Sequence, residues 1–328
     1  MTIVFAEMPE AEGRDLSVER EHLPAGARIE HFIYRGDHAA LVAACRDADA
    51  IVTDYVPFSR AVLAQLKRCR IISVAATGWD CVDVRAATEH GIRVSSVGEY
   101  CTDEVADHTL ALMLALNRKL PAYHRQVQTG LDWRWNAVHG VRRLAGQTLG
   151  LIGFGRIGQA VCRRALGFGL GVVTCDPQVA TETAAHHGAR LAGFEELLAE
   201  SDIISLHCNL DATSRGLLNR AAFSRMRRKP LLLNVARGAL IVEADLLEAL
   251  DRGLVAGAAL DVLTEDSPDL SQHPLVGRRN VLLTPHVAFY SESALDDLRR
   301  ISAGNVRAFL EGRPDKVFRL VAPAGGVA

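Results

Sequence analysis

The sequence lacks the segments that mark membrane-spanning and secreted proteins. No run of 18 apolar residues occurs among its 328 residues, so we expect no membrane-spanning helix. The first residues do not follow the basic-then-apolar layout of a signal peptide, and residues 1–7 are interpreted as a first β-strand. The seven cysteines are scattered without a C-x-x-C pair, which argues against a disulfide framework and against a zinc site. These absences predict a cytoplasmic protein that holds no metal.

The charges are too evenly balanced for a surface that binds nucleic acid. The formal net charge is −2 and no long basic block occurs, so neither nucleic acid nor a membrane is an expected partner. Apolar residues make up 49% and charged residues 23% of the chain, as is ordinary for a globular protein. Because 328 residues exceed what one hydrophobic core usually organises, we expect two domains.

Short apolar runs alternate with helical patterns through most of the chain, which predicts parallel sheets covered by helices. A second series of six such runs matches a complete dinucleotide-binding sheet. The runs lie at residues 51–53, 71–76 and 92–97 in the first series, and at 148–152, 171–175, 202–207, 230–235, 255–260 and 281–283 in the second.

Two long helices and one irregular segment complete the pattern. A helix is expected over 102–120 with Pro121 as its stop, and an irregular segment with two tryptophans follows over 129–146. A last helix over 292–311 comes after the second sheet is complete, so we expect it to cross back onto the first domain.

The predicted fold is therefore α/β, with two doubly wound parallel-sheet domains and a cleft between them. A Rossmann-type cofactor domain is expected at 101–290. A discontinuous, flavodoxin-like substrate domain is expected at 1–100 and 291–328.

A glycine-rich turn follows the first strand of the second series. Gly153 permits a tight turn, Gly155 lets the backbone approach a pyrophosphate, and Gly158 lets the next helix pack on the strand. The start of that helix offers N–H groups and a positive dipole end to phosphates. The predicted dinucleotide site comprises Gly153, Phe154, Gly155, Arg156, Ile157 and Gly158.

Asp176 ends the next strand, 18 residues beyond Gly158 (176 − 158). An acid at about this distance accepts hydrogen bonds from the adenosine ribose, and its charge opposes a 2′-phosphate. We therefore predict NAD, rather than NADP, as the cofactor.

Two later strand ends have side chains suited to chemistry on a 2-oxo acid. Arg237 and His286 each follow a buried strand, at the sheet edge where ligands bind in open α/β folds. A guanidinium group grips a carboxylate, and an imidazole is the usual acid–base group near neutral pH. Between them, Asp261 could bind the nicotinamide amide, and either Glu265 or Asp266 could pair with His286 and raise its pKa.

Several of these segments together resemble the D-isomer-specific 2-hydroxyacid dehydrogenase family. The resemblance covers nearly the whole chain, and it implies an enzyme that moves a hydride between NAD(H) and C2 of a small 2-hydroxy or 2-oxo acid. Arg237, His286 and an acid at 265 or 266 would be catalytic; the family pattern D-V-x-x-x-E-P favours Asp266 by register, while Glu265 has the usual side chain. The shared segments are residues 78–83, 153–158, 234–238, 260–262 and 284–286.

The resemblance also implies further contacts and a partner. Thr77 and Gly78 would bind the substrate carboxylate through their backbone N–H groups, on a loop where Cys81 replaces the family's usual Asn. A homodimer would form on the helix at 102–120, with the Trp133 segment crossing to the partner. From the residues alone, Trp133 and Trp135 could equally belong to the intramolecular core. The additional cofactor contacts would be His207, Asn209, Thr213 and Ala236.

One branch of the family is the most similar. Residues 206–210 and 286–292 are similar to the carboxy-terminal binding protein corepressors and their bacterial relatives, in which an aromatic residue three positions after the His lines the substrate pocket; here it is Phe289. Other candidate pocket residues are Tyr55, Phe58, Trp79, Tyr100 and Tyr290.

Two alternatives stay open at this point. One is a corepressor-like binding protein that senses NADH, and the other is a formate- or phosphite-oxidising dehydrogenase. Retention of Arg237, His286 and a nearby acid favours catalysis on a 2-oxo acid.

Overall fold

A computed structural model describes residues 1–265 and 268–322, and these residues fold into two units. One unit comprises Met1–Cys101 together with residues 291–322, and the other comprises the described residues of Thr102–Tyr290. Each unit has its own sheet, so the two predicted parallel α/β sheets are confirmed.

The sheet of the first unit has the order β13-β5-β4-β3-β1-β2 and is parallel except for β13. Its first five strands in chain order therefore follow the flavodoxin-like arrangement 2-1-3-4-5. The strands are β1 (Thr2–Glu7), β2 (Arg28–Ile33), β3 (Ala50–Thr53), β4 (Ile71–Val74), β5 (Arg93–Ser96) and β13 (Leu320–Val321). The helices are α1 (Ser17–His22), α2 (His38–Cys45), α3 (Arg60–Leu63), α4 (Val84–Glu89) and α12 (Glu292–Leu310).

Helices cover both faces of this sheet because its strands are apolar on both sides. On one face Phe5 and Ile71 pack with Ala303 and Val306 of α12. The last helix thus packs on β3 and β4 of the unit that contains the N-terminus.

The sheet of the second unit has the order β12-β11-β10-β9-β6-β7-β8 and is entirely parallel. The strand order reverses between β6 and β9, which is where dinucleotides bind in doubly wound folds. The strands are β6 (Thr148–Ile152), β7 (Gly171–Cys175), β8 (Arg190–Leu191), β9 (Ile203–Leu206), β10 (Leu231–Asn234), β11 (Gly257–Leu260) and β12 (Val281–Leu283). The helices are α5 (Thr102–Asn117), α6 (Leu120–Gln128), α7 (Arg156–Gly167), α8 (Thr181–His186), α9 (Phe194–Glu200), α10 (Arg220–Ser224) and α11 (Glu243–Asp251).

The predicted stop at Pro121 is wrong. The helix α5 ends at Asn117, Lys119 adopts a left-handed φ of 57°, and α6 then begins with Pro121 in its first turn. Proline is tolerated there because the N–H that it lacks has no partner within the helix. The apolar stripe of α5, which includes Leu112 and Met113, is buried, and the helix packs on α7, β10 and β11.

Two short or half-exposed strands do not stand out in the sequence. The edge strand β2 has the sequence RIEHFI with no fully buried position, and β8 is only two residues long. In the described part of the chain, no helix is long and apolar enough to span a membrane.

Candidate functional site

The glycine turn after β6 is held by close backbone packing. Gly153 has a φ of +94°, and a Cβ atom there would lie 2.6 Å from the nitrogen of Cys208 and from the carbonyl carbon of His207. A Cβ at Gly158 would lie 2.5 Å from the oxygen of Gly153. Side chains at these two positions would collide with backbone, so the turn requires both glycines.

Gly155 differs from the other two glycines because it faces open space. No atom lies within 4 Å of a Cβ built at Gly155, and this residue is the N-cap of α7, which has no side-chain cap. The positive dipole end of the 12-residue helix α7 therefore lies beside the open space at Gly155, where no side chain blocks the backbone N–H groups. These features fit a dinucleotide pyrophosphate bound at Gly155, Arg156 and Ile157.

Asp176 follows β7 and holds the same turn. One carboxylate oxygen accepts a hydrogen bond from the N–H of Phe154 at 2.8 Å, and the other accepts from the N–H of Gln178 at 2.9 Å. Each oxygen keeps an acceptor site, because a carboxylate oxygen has two lone-pair directions. Asp176 can therefore hold the turn and accept hydrogen bonds from a ribose together.

His207 lies at the strand reversal, directly against Gly153. Its Nε2 pairs with the hydroxyl of Ser205 at 2.8 Å, and its Nδ1 is buried with no hydrogen-bond partner among the described residues. Burial lowers the pKa of His207 to about 3, so the ring stays neutral at working pH. An unpaired polar atom beside the turn is a further feature that fits a bound ligand.

The other two cofactor contacts predicted after β9 lie in a surface turn. The backbone oxygen of Asn209 accepts a hydrogen bond from Ser214 at 2.7 Å. Thr213 is exposed and donates to Asp211 at 2.7 Å through both its hydroxyl and its backbone N–H. Their predicted contact with the cofactor stays a prediction.

Arg237 follows β10 in a loop that the buried Asn234 shapes. The Asn234 amide donates to the oxygen of Arg237 at 2.9 Å, and its carbonyl accepts from the N–H of Ala236 at 3.0 Å. The guanidinium group of Arg237 donates to the oxygen of Ala236 at 2.9 Å. Asn234 ends an apolar run, and this polar side chain at a strand end was the signal that sequence reasoning did not use.

Gly238 lets the backbone of Leu263 and Thr264, which precede Glu265, pack closely against the loop of Arg237. A Cβ at Gly238 would lie 1.9 Å from the oxygen of Leu263 and 2.5 Å from the nitrogen of Thr264. Glu265, the next residue, is exposed. Asp266 lies outside the described residues, so the choice between these two acids stays a prediction.

Asp261 follows β11, and its buried carboxylate holds the turn that contains His286. One oxygen accepts from the Thr284 hydroxyl at 2.5 Å and from the Val287 N–H at 3.0 Å, and the other accepts from the Ala288 N–H at 2.9 Å. Desolvation opposes the charge, but hydrogen bonds from His108, Thr284 and the two backbone groups outweigh it and lower the pKa of Asp261. The predicted contact of Asp261 with nicotinamide stays a prediction beside this structural role.

His286 has an unusual backbone conformation and a defined aromatic neighbour. Its φ is +52°, and its N–H donates to the oxygen of Asp261 at 2.7 Å. The rings of His286 and Phe289 meet edge to face, with 6.1 Å between their centroids. The imidazole and the predicted pocket aromatic are thus neighbours at one strand end.

The predicted carboxylate loop lies at the carboxyl end of β4 in the other unit. The Thr77 hydroxyl contacts the Cys101 sulfur at 3.7 Å, and the Cys81 thiol donates to the oxygen of Asp54 at 3.4 Å. That thiol contact supports the loop where the family's usual Asn is absent. Next to Gly78, the ring of Trp79 lies under the Arg319 guanidinium, 4.6 Å from its centroid.

The remaining predicted pocket residues differ in exposure. Phe58 has no exposed surface and lies in the core of its unit, so its predicted place in a pocket wall is wrong. Tyr55 is half-buried and Tyr100 is buried, whereas Tyr290 is 54% exposed.

Known proteins match the chain over most of its length. It is 34% identical over 288 residues to a hydroxypyruvate reductase of Blautia hydrogenotrophica, which covers 86% of this chain and 88% of the relative. It is 34% identical over 285 residues to a glycerate dehydrogenase of Methylorubrum extorquens, covering 84% and 87%. A D-lactate dehydrogenase of Aquifex aeolicus, solved with NAD and lactic acid, superposes with a TM-score of 0.86 at 25% identity, covering 98% of this chain and all of that one.

A family profile covers the unit that contains the glycine turn. The profile for the NAD binding domain of D-isomer specific 2-hydroxyacid dehydrogenases matches residues 110–288, more than half of the chain. This match agrees with the glycine turn at Gly153 and with the positions of Arg237 and His286 after their strands. The chain belongs to the D-isomer specific 2-hydroxyacid dehydrogenase family.

Proposed function

We propose that the protein transfers a hydride between NAD(H) and C2 of a small 2-hydroxy or 2-oxo acid. The observation that supports this most is that three neighbouring strands are followed, at the same edge of the sheet, by residues suited to the reaction. The neighbouring strands β10, β11 and β12 are followed by Arg237, Asp261 and His286. Adjacent strands lie about 5 Å apart, so the ends of β10 and β12 are about 10 Å apart, which long side chains can bridge.

The cofactor, Arg237, His286 and the acid at 265 or 266 have distinct tasks in the proposed reaction. NADH, when bound at the glycine turn, supplies the hydride. Arg237 binds the substrate carboxylate and polarises the adjacent carbonyl, because its guanidinium group can donate two parallel hydrogen bonds. His286 gives a proton to the oxygen at C2 during reduction and takes it back during oxidation. Glu265 or Asp266 keeps the imidazole protonated until that step.

The size of the substrate is proposed from the relatives and from Phe289. The two curated relatives act on hydroxypyruvate and glycerate, by their names. Phe289 stands edge to face with His286, so one wall near the reacting carbon is aromatic. We therefore expect hydroxypyruvate, glyoxylate or pyruvate to be reduced faster than 2-oxo acids with long side chains. The predicted roles of Thr77 and Gly78 in binding the carboxylate are part of this proposal.

Steady-state oxidation of NADH with a panel of 2-oxo acids tests the function. Turnover with at least one small 2-oxo acid is expected, and Arg237→Lys should raise its KM because an ammonium group cannot bind a carboxylate through a planar fork. Tight NADH binding without turnover of any panel member would contradict the enzyme and favour a binding protein. In a separate assay, reduction of NAD⁺ by formate or phosphite, with no 2-oxo acid turned over, would favour a formate- or phosphite-oxidising dehydrogenase.

Membership of the carboxy-terminal-binding-protein-like branch belongs to the same proposal. It is supported by Phe289 at three residues beyond His286 and by the ring contact between them. Comparing kcat/KM of Phe289→Leu for pyruvate and for a bulkier 2-oxo acid tests whether this ring limits the pocket. An unchanged ratio would contradict the role.

We also propose that the protein is a cytoplasmic homodimer. Leu131, Trp133 and Trp135 are 89%, 88% and 84% exposed within one segment, and exposed apolar clusters of this kind mark association surfaces. Light scattering on a sizing column should give twice the mass of one chain, and Trp133→Ala with Trp135→Ala should lower it. A monomer at micromolar concentration would contradict the proposal.

A further inference from the structure

We propose that His108, on helix α5, is a positioning residue for His286. The proposal rests on the proposed function, because it assigns His108 a part in placing the acid–base imidazole. His108 lies outside the five shared segments by which the family resemblance was identified. It reaches the turn of His286 through two side chains, Thr284 and Asp261.

The contacts form one continuous chain within a single unit. The Nε2 atom of His108 lies 3.2 Å from the Thr284 hydroxyl and 3.5 Å from a carboxylate oxygen of Asp261. The Thr284 hydroxyl donates to that same oxygen at 2.5 Å. Since this hydroxyl has one proton and gives it to Asp261, it accepts from His108, whose Nε2 must then bear a hydrogen.

The two partners of His108 also fix the backbone around His286. The N–H of His286 donates to the backbone oxygen of Asp261 at 2.7 Å, and the following two N–H groups donate to its carboxylate. His286 has a φ of +52°, a conformation that a residue with a side chain keeps only where its surroundings hold it. Loss of the donor at His108 would free the Thr284 hydroxyl to rotate and leave the buried Asp261 carboxylate with one neighbouring donor fewer.

Helix α5 is a suitable anchor for such a contact. It is 16 residues long, and it packs against β10 and β11, the strands that lead to Arg237 and Asp261. A side chain on this helix is therefore anchored by that packing to the strands rather than to the loop. His108 links the loop of His286 to the rigid part of the unit.

A pair of substitutions separates positioning from simple packing. His108→Gln keeps a donor of similar reach, whereas His108→Leu fills space without donating. His90→Ala, at an exposed position after α4, is the control for a histidine change elsewhere. NADH binding and the melting temperature of each variant identify any general loss of structure.

The closing experiment observes His286 directly in the full chain saturated with NAD⁺. Histidine labelled with ¹³C at Cε1 gives one resonance for each of the 12 histidines, and His286→Asn assigns the one of interest. We expect His108→Leu to shift or broaden the His286 resonance and to lower kcat by about tenfold or more with KM nearly unchanged, since small misplacements of a reacting group are costly. His108→Gln should restore both.

The two proposals fail in different ways. If no 2-oxo acid is turned over, the proposed function fails, but a His286 resonance that responds to His108→Leu and recovers in His108→Gln still supports positioning. If the wild type turns over a 2-oxo acid and His108→Leu changes neither the resonance nor kcat, positioning by His108 is overturned. A kcat loss with an unchanged resonance overturns it as well.

Discussion

One sheet carries both the glycine turn and the strand ends with Arg237, Asp261 and His286, which we call the catalytic edge after their proposed role. These two regions are built by opposite means. At the turn, Gly153 and Gly158 work by lacking side chains, so that backbone segments can approach each other. At the catalytic edge, the buried Asn234 and Asp261 work through their side chains, which bind the backbone of the loops beyond β10 and β12.

This difference explains why the two regions should respond differently to substitution. A turn packed this closely fails when a side-chain atom is added at Gly153 or Gly158. A loop held by hydrogen bonds to a buried carboxylate fails when a donor or acceptor is lost, because unsatisfied buried groups are costly. The stability of the glycine turn therefore depends on side-chain volume, whereas the stability of the loop held by Asp261 depends on the charge of its carboxylate and so on pH.

The largest effect is expected at His286 itself. His286→Asn removes the imidazole but retains a residue that tolerates a positive φ, so the turn should survive. We expect kcat for 2-oxo acid reduction to fall by about three orders of magnitude or more, with NADH affinity nearly unchanged. Steady-state kinetics and NADH fluorescence titration measure the two quantities. An active His286→Asn variant would remove the proposed acid–base group.

The two kinds of glycine in the turn give the next contrast. Gly153→Ala places a methyl group against the backbone of His207 and Cys208 at a φ of +94°, and should destabilise the protein by about 2 kcal/mol or more. Gly155→Ala meets no protein atom within 4 Å, so the melting temperature should hold while the Kd for NADH rises. Equal melting temperatures for both variants would show that the turn is not built by exclusion.

The catalytic edge should instead be sensitive to pH through Asp261. Its pKa in the folded state lies below the ordinary value of 3.8, so its contribution to stability is present above that pH and is lost as the pH falls through the lowered pKa. Asp261→Asn should cost about 1–3 kcal/mol at neutral pH, and less in acid. Urea unfolding at several pH values measures this, with Glu182→Gln, at an exposed position on α8, as the carboxylate control. A pH-independent difference would contradict the account.

The smallest effect is expected at Asp176, because it concerns preference rather than turnover. Asp176→Ala removes the charge that opposes a 2′-phosphate, so the ratio of kcat/KM for NADPH to that for NADH should rise by about tenfold. Asp176→Asn keeps an acceptor for the Phe154 N–H and shows how much of the change comes from the turn. An unchanged ratio in both variants would place the ribose contact elsewhere.

The parts of the molecule that depend on local pattern could be predicted from the sequence. The glycine turn, the apolar strands and the strand-end positions of Arg237 and His286 all leave regular local signatures. One local pattern was misread: Pro121 was expected to end a helix, but it lies in the first turn of α6, where proline is also tolerated.

The support for the catalytic edge was also out of reach. His108 and Thr284 are 176 residues apart in sequence, and no local pattern joins them. Gly238 lies in a recognisable segment, but a glycine is needed there because the backbone of Leu263 passes close to it, and this contact is visible only in the three-dimensional structure. Side chains that bind distant backbone carry no periodicity, so a single sequence does not reveal them.

The most direct test of the account is a transfer experiment with NADH that bears deuterium on the reactive nicotinamide carbon. Incubated with a small 2-oxo acid, the wild type should yield the D-2-hydroxy acid with deuterium at C2, detected by mass spectrometry, and His286→Asn should bind the labelled cofactor but yield almost none. Bound cofactor with no label in any 2-hydroxy acid product from the wild type would contradict the account.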